Sequence, residues 1–328
     1  MSEPGDADVR AVLARFGMSA AVAIPLGDAG GFSGARLWRV RADEAEFCLK
    51  TWPPGAMDPL RHAMIGQLLF SAALRGLAFC PQLRPTVNNR YHAEFGGRIW
   101  ELADWKQGTA DFHSNPSPER LRSACQAVAC LHWVWAEFGS WLLPCPAVSR
   151  RTEAARDWLK LVQRGWRPEF MAADPVSASA LRAWQLVVRR VPDVPRQLEP
   201  WLDVRVPIQL CVCDIWHAHV LFTGDDVSGL IDYGAINRDS VATDLARLLG
   251  SLVGDDATLC DVGLDAYAGI RPLSEQERQL VPLLDRTGVV LGLANWLRWL
   301  YHERRQYDDR AAVARRLAQL VERAERWA

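Results

Sequence analysis

Lysine is nearly missing from this 328-residue chain: Lys50, Lys106 and Lys160 stand against 35 arginines among 38 basic residues. An arginine bias of this kind follows genome composition and excludes no function, but it makes the position of each lysine informative. An excess of either charge is also missing, since 38 basic residues face 39 acidic ones, and this balance gives no reason to expect a nucleic-acid or membrane partner. No run approaches the ~20 apolar residues of a membrane span, and no basic N-terminal segment leads into an apolar stretch. The most apolar segment, 288–297, runs into Arg298 and a charged end at residues 302–305, and is expected to be a buried core helix. The eight cysteines include no Cys-x-x-Cys pair and no regular spacing. They lie mostly in apolar segments and read as reduced core thiols of a cytoplasmic protein. There is no internal repeat and no low-complexity tract, and nothing sets the oligomeric state. With 49% hydrophobic residues, the length suits roughly two domains of ~150 residues.

What is present begins with a helix to about Phe16, carrying Val9, Val12, Leu13 and Phe16 on one side. Two apolar runs, 22–24 and 37–40, then flank Gly27, Gly30, Gly31 and Gly34, and a further strand ends in Lys50. Glycines let backbone N–H groups approach phosphates, and a terminal lysine supplies a compact cation beside them. Gly30, Gly31, Gly34 and Lys50 are therefore the candidate phosphate-binding residues. Four glycines alone describe only a loop; their order relative to Lys50 and to two later aspartates favours the functional reading. Asp58-Pro59 opens a helix with an acidic cap. Residues 98–105 read as a strand followed by the polar stretch 106–109, and Pro118 begins a helix running to His132. The segment 150–201 is helical and Trp-rich, and the remainder to Ala328 is helical.

The densest chemistry lies at Cys213-Asp214-Ile215-Trp216-His217-Ala218-His219, followed by a hairpin turning at residues 223–226 and by Leu230-Ile231-Asp232-Tyr233-Gly234. Phosphoryl transfer asks a protein mainly for positioning and charge neutralisation: a base to orient the attacking hydroxyl, and separate ligands for the divalent ion on the nucleotide phosphates. A hairpin with Asp214 and His219 on its leading loop and Asp232 closing its second strand can supply both.

The segment from Asp214 to Asp232 resembles the aminoglycoside phosphotransferase and choline kinase group of the protein-kinase-like fold, whose motif reads His-Gly-Asp-x-x-x-x-Asn and then Ile-Asp-Phe or Ile-Asp-Tyr. The resemblance implies an α+β, two-lobed fold, with a small β-rich lobe at 1–103 and a larger helical lobe at 104–328 that carries the catalytic loop at 211–234. It implies ATP and a divalent metal, Mg or Mn, as cofactors and a small-molecule hydroxyl as acceptor. Asp214 matches the catalytic aspartate and Asp232 a metal ligand. His219 stands where the family has a metal-binding asparagine, and imidazole suits manganese better than magnesium. Val212 stands at the family's motif histidine. The helix after Lys50 lacks the glutamate that pairs with the strand lysine: between Lys50 and Glu94 the only acid is Asp58. The family's inter-lobe hinge falls near Trp100, Leu102 and Trp105, which are equally readable as core. Asp244 is expected to cap its helix and anchor the preceding loop.

Three readings follow. The first is a small-molecule kinase with Asp214 as base and His219 and Asp232 on the metal. The second is a pseudokinase that keeps nucleotide affinity without turnover, favoured by the changes at Val212, at His219 and in the glutamate-less helix. The third is a metal hydrolase with a cluster of Asp214, His217 and His219, in which the two histidines, alternating on a strand, share one face. Arg150, Arg151 and Arg156 are read as a solvated helix face.

Overall fold

The computed structural model describes residues 3–27, 32–171, 173–307 and 309–327. In chain order these form α1 (Asp6–Arg15), β1 (Val22–Pro25), β2 (Arg36–Ala42), β3 (Ala45–Thr51), α2 (Pro59–Leu74), β4 (Ala93–Phe95), β5 (Arg98–Asp104) and α3 (Pro118–Trp135). There follow β6 (Trp141–Pro144), α4 (Pro146–Gln163), α5 (Ser177–Arg190), α6 (Asp193–Leu198), β7 (Arg205–Cys211), β8 (Val220–Thr223), β9 (Asp226–Leu230) and β10 (Asn237–Asp239). The chain closes with α7 (Val241–Leu252), α8 (Ala257–Ala268), α9 (Glu275–Leu297) and α10 (Arg310–Glu325). The expected α+β composition is present, with strands concentrated early and helices late.

The described chain groups into two compact units, residues 1–135 with 217–236, and 136–216 with 237–328. The first unit extends past residue 103 to include α3 and the β8–β9 hairpin. Its sheet is antiparallel in the order β1-β2-β3-β5-β4. Val9, Val12, Leu13 and Phe16 of α1 pack with Val40, Leu49, Trp100 and Leu102 of the sheet, so the helical spacing of one segment meets the period-2 spacing of three others. Trp100 and Leu102 are thus core. Asp58 caps α2 as expected, its carboxylate accepting from the amides of Leu60 and Arg61 at 2.8 and 3.3 Å.

In the second unit, β7 lies between β10 and β6 in a three-stranded antiparallel sheet, surrounded by helices. Strand β6 has no counterpart among the sequence expectations, because its side chains are all exposed and its residues show no alternation. Helix α3 continues past His132 to Trp135. Helix α9 is long and apolar enough to span a membrane by length and composition, yet 61% of its most apolar window is buried in the fold, as expected of a core helix. Arg150 and Arg156 are exposed, as expected of a solvated face, and Arg151 departs from it. Arg150 bonds the fully buried Asp239 at 2.5 Å, and Arg151, pushed down to about 10 by burial, donates to the Leu284 carbonyl and the Thr287 hydroxyl.

Candidate active site

In the first unit, β3 carries Lys50 to its penultimate position, where the side chain is buried and its Nζ donates to Asp232 Oδ1 at 2.7 Å. Burial alone would lower the Lys50 pKa, but the charges of Asp232 and Glu101 outweigh it and raise it. Burial likewise pushes the Asp232 carboxyl up, and the Lys50 cation, its hydrogen bond and His219 together bring it below its ordinary value. Asp232 lies beyond the end of β9 with φ 65°, a left-handed conformation that aspartate tolerates better than most residues. That turn aims its carboxylate back at β3. His219 Nε2 lies 3.7 Å from Asp232 Oδ2, so the two expected metal ligands offer an oxygen and a nitrogen close enough to share one cation. This donor set fits a divalent ion that accepts imidazole.

His217 to His219 form a 3-10 turn rather than a strand. The alternation that would have pointed both imidazoles to one face is absent, and His217 packs against His113 with ring centroids 4.4 Å apart. Of the glycines, Gly34 has φ 74° and a Cβ there would press on Pro53 at 3.1 Å; Gly30 and Gly31 lie outside the described residues. At the expected hinge, Trp105 receives the Arg39 guanidinium over its ring at 4.6 Å. The polar stretch behind it is pinned: Thr109 exchanges backbone hydrogen bonds with Phe222 at 3.0 and 2.9 Å, and Ser228 Oγ donates to the Gln107 carbonyl at 2.7 Å.

In the second unit, Asp214 follows β7 on a loop whose geometry is set by Asp244. The Asp244 carboxylate, fully buried in the first turn of α7, accepts the amides of Val212 and Cys213 at 2.7 Å each. The expectation that Asp244 caps its helix is corrected: Ser240 is the cap, accepting from Ala242, and the loop anchored is the one leading to Asp214. Val212 can therefore be apolar, because the bracing reaches the backbone rather than a side chain at that position. Cys213 has φ 64°, where the family motif has glycine. Burial pushes its thiol pKa far up, so it offers no thiolate beside Asp214.

Arg247 donates from Nε and a terminal nitrogen to Asp214 Oδ1 at 3.2 and 3.0 Å. Both Arg247 and Arg316 lie over the Trp216 ring, 5.6 and 4.8 Å from its centroid. Burial and the neighbouring Arg247 charge push the Arg316 guanidinium down to about 10, and it forms no ion pair among the described residues. Sequence reasoning missed Arg247 and Arg316 because arginine is this chain's default cation. The only available signal was the position of Arg247 one turn beyond Asp244.

The sequence model of the phosphotransferase enzyme family matches residues 26–280. A homoserine kinase of Methylobacterium sp. (strain 4-46) is 31% identical over 243 residues, covering 70% of this chain and 68% of the relative. In fold, the chain is similar to an aminoglycoside phosphotransferase of Alicyclobacillus acidocaldarius, with TM-score 0.61, 15% identity, and 99% and 95% of the two chains covered. It is also similar to a spectinomycin phosphotransferase solved with ADP and spectinomycin, with TM-score 0.65, 14% identity, and 93% and 92% covered. The protein-kinase-like fold expected from the Asp214–Asp232 segment is the fold of these neighbours.

Proposed function

Because the chain belongs to the phosphotransferase enzyme family, we propose that it transfers the γ-phosphoryl group of ATP to a hydroxyl of a small molecule, with a divalent cation as cofactor. The observation that carries this reading is the cluster of Lys50, Asp232 and His219, joined at 2.7 and 3.7 Å. Lys50 supplies the cation for the nucleotide phosphates, and the glycine-rich segment around Gly30, Gly31 and Gly34 supplies backbone N–H groups. Asp232 and His219 would hold the Mg or Mn ion, which would supply neutralisation of the phosphate charge. Asp214 orients the acceptor hydroxyl and takes its proton as the new O–P bond forms and ADP leaves with the bridging oxygen. Arg247 positions the Asp214 carboxylate through its two hydrogen bonds.

For the acceptor, Arg247 and Arg316 around Trp216 favour a molecule that carries an anionic group. A hydroxylated amino acid such as homoserine fits that charge; a polycationic aminoglycoside meets repulsion there. Turnover is favoured over a nucleotide-binding scaffold because bracing by Asp244 removes the need for a histidine at Val212, and His219 retains metal-ligand chemistry.

The test is calorimetric titration of ATP with Mg and then Mn into wild type and Asp232→Ala, followed by radiolabel transfer from ATP to homoserine and to spectinomycin. Metal-dependent binding lost in Asp232→Ala, and transfer abolished by Asp214→Asn with ATP binding retained, is the expected outcome. Absence of ATP binding with either metal refutes the assignment.

A further inference from the structure

We propose that Glu101, held by His62 of α2, is the acid that positions Lys50 toward the nucleotide, replacing a helix carboxylate that this chain does not have. The inference rests on the phosphotransferase reading above. Lys50 in this structure is bonded to Asp232, yet Asp232 is also the carboxylate proposed to hold the cation. Once its oxygens turn to a metal, Lys50 needs another negative charge to remain extended toward the phosphates.

Helix α2 contains no acidic residue from Pro59 to Leu74. Glu101 of β5 is instead the direct cross-strand partner of Lys50 of β3, and opposed residues of paired strands project to the same face with their Cβ atoms about 4.5–5.5 Å apart. The Glu101 side chain is only 15% exposed, and its Oε2 meets His62 Nε2 at 2.8 Å.

His62 is fully buried on the first turns of α2, and its Nδ1 meets no hydrogen-bond partner among the described residues. Nε2 is therefore the one ring nitrogen with a hydrogen-bond partner among the described residues, and that atom is spent on Glu101. Trp52 fills the space between, with Lys50 Nζ 4.9 Å and the His62 ring 5.9 Å from its rings. The neighbouring residue Arg61 donates to the carbonyls of Gly234 and Ile236 at 2.9 and 3.1 Å. One helix thus grips both acids of Lys50: Glu101 through His62, and the Asp232 loop through Arg61. The helix reaches the lysine through a histidine and a strand glutamate, where a glutamate of its own would have made the contact directly.

The test is a double-mutant cycle read by calorimetry with Mg-ATP on wild type, Glu101→Gln, Lys50→Ala and the double variant, with melting temperatures measured in parallel. If Glu101 acts through Lys50, Glu101→Gln weakens ATP binding at least tenfold and has no further effect in the Lys50→Ala background. Equal effects in both backgrounds, or a fall in melting temperature without a fall in affinity, overturns the proposal. Failure of wild type to bind ATP sinks the phosphotransferase reading and this inference with it, whereas wild-type binding that Glu101→Gln leaves unchanged sinks the role of Glu101 alone.

Discussion

At the residue scale, the site is set by side chains that do not themselves react. Asp244 satisfies two buried amides next to Asp214, and an unsatisfied buried N–H costs about 1–3 kcal/mol, which explains how the loop keeps its shape without a motif histidine. Cys213 holds the same loop in a left-handed conformation at φ 64°. That conformation costs a non-glycine residue about 1–2 kcal/mol, against about 0.4–1 kcal/mol of chain entropy that a glycine would surrender on folding. Cys213→Gly is accordingly expected to raise unfolding stability by up to about 1 kcal/mol in urea titration. A loss of stability would mean that the thiol's packing and its contact with the Asn237 carbonyl outweigh the backbone strain. The identities of Asp214, Asp232 and Lys50 were legible in the sequence as chemistry. Asp244 was legible as a loop anchor but not as the brace of Asp214, and the partners Glu101 and Arg247 were not legible at all, because a common acid or base announces its role only when its neighbours are known.

At the element scale, α2 and the β8–β9 hairpin decide how the first unit presents its cluster. The turn between β8 and β9 was readable from its Gly-Asp-Asp sequence, whereas its attachment to residues 106–109 was not, since that contact joins segments more than 100 residues apart. Gly108 is the tightest point of the attachment. It has φ 108°, and a Cβ there would collide with Ser228 Oγ and lie 2.7 Å from the Phe222 carbonyl oxygen. Gly108→Ala combines a forbidden backbone region with a steric clash, so it is expected to cost at least about 2 kcal/mol in denaturant unfolding. A cost under about 0.5 kcal/mol would show that the hairpin is not anchored at this point. The readings that failed at this scale, His217 and His219 on a strand and Arg151 on a solvated face, both assumed regular periodicity where tertiary contacts had replaced it.

At the scale of the whole molecule, each compact unit is built from two separate stretches of chain. The hairpin at 217–236 completes the first unit: Phe222 pairs with Thr109, Arg120 donates to the Gly224 carbonyl at 2.9 Å, and Tyr233 packs on Trp135 at 5.9 Å. A fragment ending at residue 135 loses all of these, and it is expected to show non-cooperative thermal unfolding by circular dichroism. A cooperative transition matching that of the full chain would show that the hairpin is dispensable. By itself the sequence determined most of the order of the elements and picked out the two aspartates proposed to carry the chemistry, because periodicity, capping residues and motif spacing are local signals. The tertiary structure alone decided which acid faces Lys50, what braces Asp214 and which arginines surround it, because those answers depend on strand register and on charges meeting across long sequence separations.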